Sequence, residues 1–176
     1  AFELFDQMGE VPDFILIPSA NGCLLSGIYR GFVELQKIFH LKKLPQLIAV
    51  QMNNAAPLEK ALEANRQDFY SLKKADLSSK AEGIVALESF CAPKAIHALR
   101  KTKGFVCTIT EKELFEGMQF AVQEEGILPE WTSASAFAAF LKLKRKKIIR
   151  SGKKVVVMNT GSGLKQIDHI VEALCP

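Results

Sequence analysis

The sequence predicts a three-layer α/β fold in which a mainly parallel sheet carries helices on both faces. Short apolar runs alternate with segments of helical periodicity along most of the 176 residues, as they do when crossover helices join parallel strands. The runs are rich in β-branched residues and too short for stable helices, which indicates buried strands. Because 48% of the residues are hydrophobic, the chain can bury a large core. We therefore expect one α/β unit over residues 1–176.

The first half of the chain is predicted to contain an amphipathic helix followed by two strand–helix units. Strands are expected at residues 14–17 and 47–51, and helices at residues 24–40 and 57–64. Pro18 ends the first strand. Pro57 suits the first position of its helix, where a missing N–H costs nothing. Residues 65–80 are polar and weakly periodic, which predicts a surface segment.

The second half continues the same alternation. A helix begins at Pro93, strands cover residues 105–109 and 155–159, and a helix over residues 133–140 is small or apolar on all sides. Thr110 and Glu113 have the spacing of a capping box that begins another helix. We expect that helix to end at Gly126. The last helix is expected to direct five apolar side chains inward: Leu164, Ile167, Ile170, Val171 and Leu174.

A strand–turn–helix unit at residues 12–32 has the composition of an anion site. Its turn contains Ser19, Ala20, Asn21 and Gly22, small residues that allow a sharp bend with several N–H groups aimed at one point. A helix N-terminus adds unpaired donors and a favourable dipole. The alternative is a turn made of small residues for close packing only. The inward face of the helix is expected to contain Leu24, Leu25, Ile28, Tyr29, Phe32 and Leu35.

The end of the chain repeats this arrangement. Residues 155–159 precede a turn of Thr160, Gly161, Ser162 and Gly163, and a helix follows. In parallel sheets ligands bind beyond the carboxyl ends of the strands, where both turns are expected to lie.

The composition favours a reduced protein without a structural metal. Four cysteines contain no C-x-x-C pair, and three histidines are dispersed. No apolar run approaches the length of a membrane span and no signal peptide is recognisable, so we expect a soluble cytoplasmic protein. The chain begins without methionine in a helical segment, which favours a fragment of a longer protein.

The net charge of +4 is concentrated in a basic run at residues 142–154. This run could contact nucleic acid, but no aromatic or glycine pattern of an RNA-binding module accompanies it. A solvated helix C-terminus, where the dipole favours cations, is the better interpretation. We therefore expect no nucleic-acid partner and no membrane partner.

Several segments together resemble threonine synthase, a pyridoxal-phosphate enzyme of the tryptophan-synthase-β fold. They are IPSANGCLLSGIYRGFVELQKI with LPQLIAVQ, then AEGI, EEGILPEWTSASAFAAFLKL and VVVMNTGSGLK, in the family's order. The resemblance spans nearly the whole chain. It implies part of the large domain of such an enzyme, with pyridoxal 5'-phosphate as the cofactor.

The resemblance also implies which residues contact the cofactor. The phosphate would be held by Ser19, Ala20, Asn21, Gly22 and Cys23, and the pyridine nitrogen would meet the hydroxyl of Thr160. A neutral hydroxyl leaves that nitrogen largely unprotonated. The alternative role for Thr160 is to cap the turn that follows it. This chain has Ala20, Cys23 and Leu24 where the family commonly has Gly, Gly and Asn, and Trp131 where the family usually has Pro.

By the same resemblance, the parent protein would convert O-phospho-L-homoserine and water to L-threonine and phosphate. The lysine that binds the cofactor covalently would lie upstream of Ala1, in an N-terminal half outside this sequence. We therefore expect no catalytic residue in this chain, no activity of this chain alone, and association with the missing half or another copy. Serine/threonine dehydratase, diaminopropionate lyase and cysteate synthase share these motifs, and a non-catalytic paralogue and a basic binding module are further alternatives.

Overall fold

The computed structural model describes residues 1–65, 71–72 and 77–174. Part of the predicted surface segment at residues 65–80, and Cys175, lie outside these residues. The described elements in order are α1 Phe2–Met8, β1 Phe14–Pro18, α2 Cys23–Phe39, β2 Gln46–Met52, α3 Pro57–Glu63, α4 Ala92–Lys101, β3 Phe105–Ile109, α5 Glu111–Gln123, α6 Trp131–Arg145, β4 Val155–Val157 and α7 Ile167–Leu174. Short 3₁₀ turns occur at Glu82–Ile84 and Gly163–Gln166.

The four strands form one parallel sheet in the order β3-β2-β1-β4. Successive residues of β1 point to opposite faces, so Leu16 belongs to one apolar cluster and Ile15 to the other. The Leu16 face is covered by α5 and α6, and the Ile15 face by α2, α3 and α4. The predicted three-layer α/β class is therefore confirmed.

The strand order contains one reversal. From β1 the chain adds β2 and then β3 on one side, and it returns to place β4 on the other side of β1. The carboxyl ends of β1 and β4 therefore flank the crevice where the winding direction changes, the preferred ligand site of open α/β sheets.

Three predictions about helices need correction. The helix α5 ends at Gln123 rather than Gly126, because Gly126 adopts a left-handed φ of +65° and the Ile127 N–H donates back to the Ala121 carbonyl at 2.9 Å. Leu24 is 43% exposed rather than inward, since its position in the first turn of α2 points away from the sheet.

The inward face predicted for the last helix is mostly wrong. Only Ile170 is buried, whereas Leu164 is 73% exposed, Val171 is 50% exposed and Ile167 is also exposed. The helix follows the edge strand β4, so one row of side chains reaches the core, and no described element covers the remaining rows. The side chain of Leu174 lies outside the described residues.

The basic run at residues 142–154 is partly paired with carboxylates. Lys142 contacts Glu113 at 3.0 Å and Arg145 contacts Glu116 at 2.8 Å. Lys153 and Lys154 form ion pairs near the start of β1. Four of the eight basic residues of this run are therefore paired with carboxylates within the fold. In the described part of the chain, no helix is both long and apolar enough to cross a membrane.

The predicted capping box at the start of α5 is confirmed. The Thr110 hydroxyl accepts from the Glu113 N–H at 3.2 Å, and the Glu113 carboxylate accepts from the Thr110 N–H at 2.9 Å. Burial alone raises the pKa of Glu113, but the bonds from Thr110 and the Lys142 ammonium outweigh burial and hold that pKa below its ordinary value of 4.5.

Glu113 is expected to make folding stability sensitive to acid. Because its pKa is lower in the folded state, its contribution is present above pH 4.5 and is lost as the pH falls through the folded value. The test is urea unfolding from about pH 7 to pH 3 for the wild type and Glu113→Gln. The free-energy difference between the two proteins should shrink at acidic pH. A difference independent of pH would contradict this role.

Candidate functional site

The turn after β1 presents a group of unpaired backbone donors. Ser19 still belongs to the sheet, because its N–H donates to the Val50 carbonyl at 2.9 Å and its hydroxyl donates to the Ile17 carbonyl at 2.8 Å. The first helical bond of α2 runs from the Ser26 N–H to the Gly22 carbonyl. Between these points, the N–H groups of residues 20–25 have no acceptor among the described residues. This is the arrangement that binds an anion at a helix N-terminus.

Gly22 gives this turn its shape. It caps α2 with a left-handed φ of +79°, and a Cβ at this position would lie 2.5 Å from the Cβ of Ala95 in α4. The neighbouring Asn21 carbonyl accepts from the Cys91 N–H at 3.1 Å. The turn therefore rests directly against the beginning of α4, and only glycine fits both the backbone conformation and the space.

Gln51, on the neighbouring strand β2, fixes the start of the turn. This side chain is fully buried at the end of β2. Its amide nitrogen donates to the Ser19 carbonyl at 3.1 Å, and its amide oxygen accepts from the N–H groups of Leu58 at 3.1 Å and Glu59 at 3.3 Å. One buried side chain thus ties the turn after β1 to the N-terminus of α3.

Thr160 is positioned by a serine from another element. The hydroxyl of Ser133, buried in α6, accepts from the N–H groups of Thr160 and Gly161, each at 2.9 Å. The same hydroxyl lies 2.9 Å from the Thr160 hydroxyl. Since Ser133 receives both N–H groups, it fixes the backbone that carries the Thr160 side chain.

The rest of this turn is held against the start of α6. Glu130 donates its N–H to the Gly161 carbonyl at 3.0 Å, and its carboxylate pairs with Lys165 at 2.8 Å. A Cβ on Gly161 would collide with the Glu130 carboxyl group. Gln166 accepts from the Trp131 N–H at 3.3 Å. The turn is therefore set by α6 and not only by its own residues.

The two predicted parts of the site lie on neighbouring strands. Leu16 pairs with Val157, and Ser19 and Thr160 each follow that pair by three residues. The Met158 N–H donates to the Leu16 carbonyl at 3.1 Å, which continues the alignment beyond β4. The sheet thus brings the unpaired donors after β1 and the Thr160 hydroxyl to the same edge, at the reversal in strand order.

Sequence reasoning missed Gln51 and Ser133 as positioning residues. Each could have been noticed from the sequence. Gln51 ends an apolar strand and Ser133 lies within an apolar helix, so both are polar groups in positions expected to be buried. Buried polar groups need hydrogen-bond partners. Here Gln51 bonds to the turn after β1, and Ser133 bonds to the turn after β4. Among the described residues, no group of three or more His, Cys, Asp or Glu could hold a metal ion.

The fold and the site define an α/β protein with a turn of unpaired backbone donors at the reversal of the strand order. The family model described as "Pyridoxal-phosphate dependent enzyme" matches residues 1–161. The chain belongs to this family of pyridoxal-phosphate dependent enzymes.

Two threonine synthases are similar to this protein over almost the whole chain. A threonine synthase of Methanocaldococcus jannaschii is 31% identical over 174 residues, 98% of this chain and 42% of that protein. The chloroplastic threonine synthase 2 of Arabidopsis thaliana is 27% identical over 94% of this chain and 32% of that protein. This chain therefore spans less than half the length of these relatives.

Solved structures support the fold. The crystal structure of a fungal L-serine ammonia-lyase from Rhizomucor miehei matches with a TM-score of 0.77 and 20% identity, covering 97% of this chain and 53% of that chain. At this identity the similarity concerns the architecture. It agrees with the tryptophan-synthase-β type of fold expected from the sequence.

Proposed function

We propose that this chain is the C-terminal part of a threonine synthase, a lyase that converts O-phospho-L-homoserine and water to L-threonine and phosphate. One observation carries the proposal. The turn with unpaired N–H groups after β1 and the Thr160 hydroxyl lie at the same edge of the sheet. The similarity to threonine synthases along 94–98% of the chain supports the choice of reaction.

The residues fit pyridoxal 5'-phosphate in two respects. A phosphate carries negative charge and several acceptor oxygens, which match the N–H groups of residues 20–25 and the positive end of the α2 dipole. Of the predicted phosphate residues, Ala20, Asn21, Gly22 and Cys23 offer free N–H groups. Ser19 has both of its donors engaged with the strands, so its proposed role is to orient the turn.

Thr160 is proposed to meet the pyridine nitrogen. A neutral hydroxyl there donates a hydrogen bond without transferring a proton, so the nitrogen stays largely unprotonated. When bound, the cofactor supplies an electron sink for breaking bonds in the amino-acid substrate. Ser133 holds the Thr160 backbone, and through it the direction of the hydroxyl.

The lysine that binds the cofactor covalently is proposed to lie upstream of Ala1. This places the catalytic base in another part of the protein and leaves this chain with the phosphate turn and the ring-nitrogen contact. The exposed Leu164 and Val171 support the proposal that the remainder of the protein, or a second copy in a homo-oligomer, covers the outer side of α7. A cytoplasmic location is proposed as well.

A substrate panel tests this function. The full-length protein with pyridoxal phosphate is given O-phospho-L-homoserine, L-threonine, L-serine, O-phosphoserine and diaminopropionate in turn. We expect only O-phospho-L-homoserine to be consumed, with equal amounts of threonine and phosphate formed.

Other outcomes identify the alternatives. Ammonia released from threonine or serine indicates a dehydratase. Consumption of O-phosphoserine with sulfite indicates cysteate synthase, and consumption of diaminopropionate indicates its lyase. Cofactor binding without turnover of any substrate indicates a non-catalytic paralogue.

A further inference from the structure

Two cysteine thiols meet beside the anion-binding turn. The Sγ atoms of Cys23 and Cys91 are 2.7 Å apart, although the residues are separated by 68 positions in the sequence. A disulfide bond is about 2.05 Å long, so bonding requires the sulfurs to approach by roughly 0.6 Å. The side chains already point at each other, which is the main geometric requirement for a disulfide.

The backbone around the two thiols is held in place independently of them. Cys23 is the first residue of α2, and Cys91 precedes the first residue of α4. The Cys91 N–H donates to the Asn21 carbonyl, and Gly22 lies against Ala95. These contacts keep the ends of the two helices together, so a bond between the sulfurs needs no rearrangement of either helix.

The thiols are accessible to a small reactant. Cys23 is exposed and Cys91 is half-buried, and both line a cleft of about 690 Å³. The cleft also contains Arg30, Lys37 and Lys94, against the single carboxylate of Glu34. This balance of charge favours a reactant that carries negative charge.

We propose that Cys23 and Cys91 form a reversible redox pair, and that oxidation crosslinks the anion-binding turn to α4. The oxidant class is a small anionic disulfide. This inference concerns the thiols themselves and holds whether or not the parent protein is a threonine synthase.

The reaction balances as two thiol–disulfide exchanges. The thiolate of Cys23 attacks one sulfur of the small disulfide, whose S–S bond breaks, and the first small thiolate leaves and takes up a proton. The thiolate of Cys91 then attacks the Cys23 sulfur, and the second small thiol leaves. Two protein thiols are oxidised to one disulfide and one small disulfide is reduced to two thiols.

The surroundings predict how this reaction depends on pH. The hydrogen bond with Cys91, aided by partial desolvation of the thiol, raises the pKa of Cys23 above its ordinary value of 9.0, while the Lys94 ammonium opposes the shift. The attacking thiolate is therefore scarce at neutral pH, and the rate should increase with pH. Cys107 offers an internal comparison, because burial raises its pKa to about 11.

The test treats the full-length protein with oxidised glutathione and alkylates the remaining free thiols before peptide mapping. We expect a Cys23–Cys91 linkage, at least about tenfold less alkylation at both residues, and reversal by dithiothreitol. Cys107 should remain reduced. The crosslink should raise the thermal unfolding midpoint by roughly 5–10 °C.

A matched variant and a second reagent make the test decisive. Cys91→Ser should stop at a mixed disulfide on Cys23, with no increase in the unfolding midpoint. Cystamine, a cationic disulfide, should react several-fold more slowly than oxidised glutathione. Linkage of Cys23 to Cys107 or Cys175, unreacted Cys23 and Cys91, or an unchanged midpoint in the oxidised wild type would overturn the proposal.

Discussion

Replacing Gly22 by alanine is expected to lower the free energy of unfolding by about 2–4 kcal/mol and to weaken pyridoxal-phosphate binding at least tenfold. The left-handed φ of +79° costs an L-residue roughly 1–2 kcal/mol. The added Cβ would also stand 2.5 Å from Ala95, so the turn must move away from α4. That movement redirects the N–H groups proposed to hold the phosphate. Urea unfolding and cofactor titration of the full-length protein measure the two effects.

Gly9→Ala is the matched control for this experiment. Gly9 has a similar φ of +67°, but a Cβ there would have no atom within 4 Å. This variant should therefore lose only about 1 kcal/mol of stability and retain cofactor affinity. If both variants bind the cofactor as the wild type does, the turn after β1 is a packing feature and not the phosphate site.

Replacing Ser133 by alanine is expected to lower turnover of the full-length enzyme by about ten- to a hundredfold. The variant leaves the N–H groups of Thr160 and Gly161 without their acceptor, at a cost of roughly 1–3 kcal/mol. The Thr160 hydroxyl then loses its fixed direction, so the cofactor's absorption spectrum should shift together with activity. Steady-state kinetics and absorption spectra measure these effects.

Three further variants separate positioning from stability. Ser135→Ala also removes a buried hydroxyl from α6, but that hydroxyl donates only to the Thr132 carbonyl within the helix. Its spectrum and turnover should stay close to the wild type. Thr160→Val should reproduce the spectral shift of Ser133→Ala, and Thr160→Ser should retain the wild-type spectrum. Identical spectra for all four proteins would mean that Thr160 only caps its turn.

Much of the fold follows from local sequence patterns. The predicted strands at residues 14–17, 47–51 and 105–109 correspond to β1, β2 and β3 within one residue at each end. The strand at residues 155–159 is shorter than predicted and ends at Val157. Three residues later the chain turns toward α6, because Ser133 accepts the N–H groups of Thr160 and Gly161. Apolar periodicity contains no information about such a contact.

The prediction of an inward face for the last helix was wrong for a similar reason, because it depended on contacts between distant parts of the chain. A row of apolar side chains predicts a buried face only where another element is available to cover it. The helix α7 follows an edge strand, so Ile170 reaches the core while Val171 does not, and Leu164 is exposed in the 3₁₀ turn before the helix. Periodicity indicates which residues share a face, but the position of the helix in the fold decides whether that face is covered.

By itself the sequence determined the α/β class, the strand–turn–helix unit at residues 12–32 with its small-residue turn, and the resemblance to a pyridoxal-phosphate enzyme family. These depend on residue types and on spacing within a few helical turns. Only the tertiary structure decided that β4 lies beside β1, that Ser133 orients Thr160, that Gln51 supports Ser19, and that Cys23 meets Cys91. Each of these joins positions far apart in the chain, and such pairings are set by the order in which strands and helices assemble.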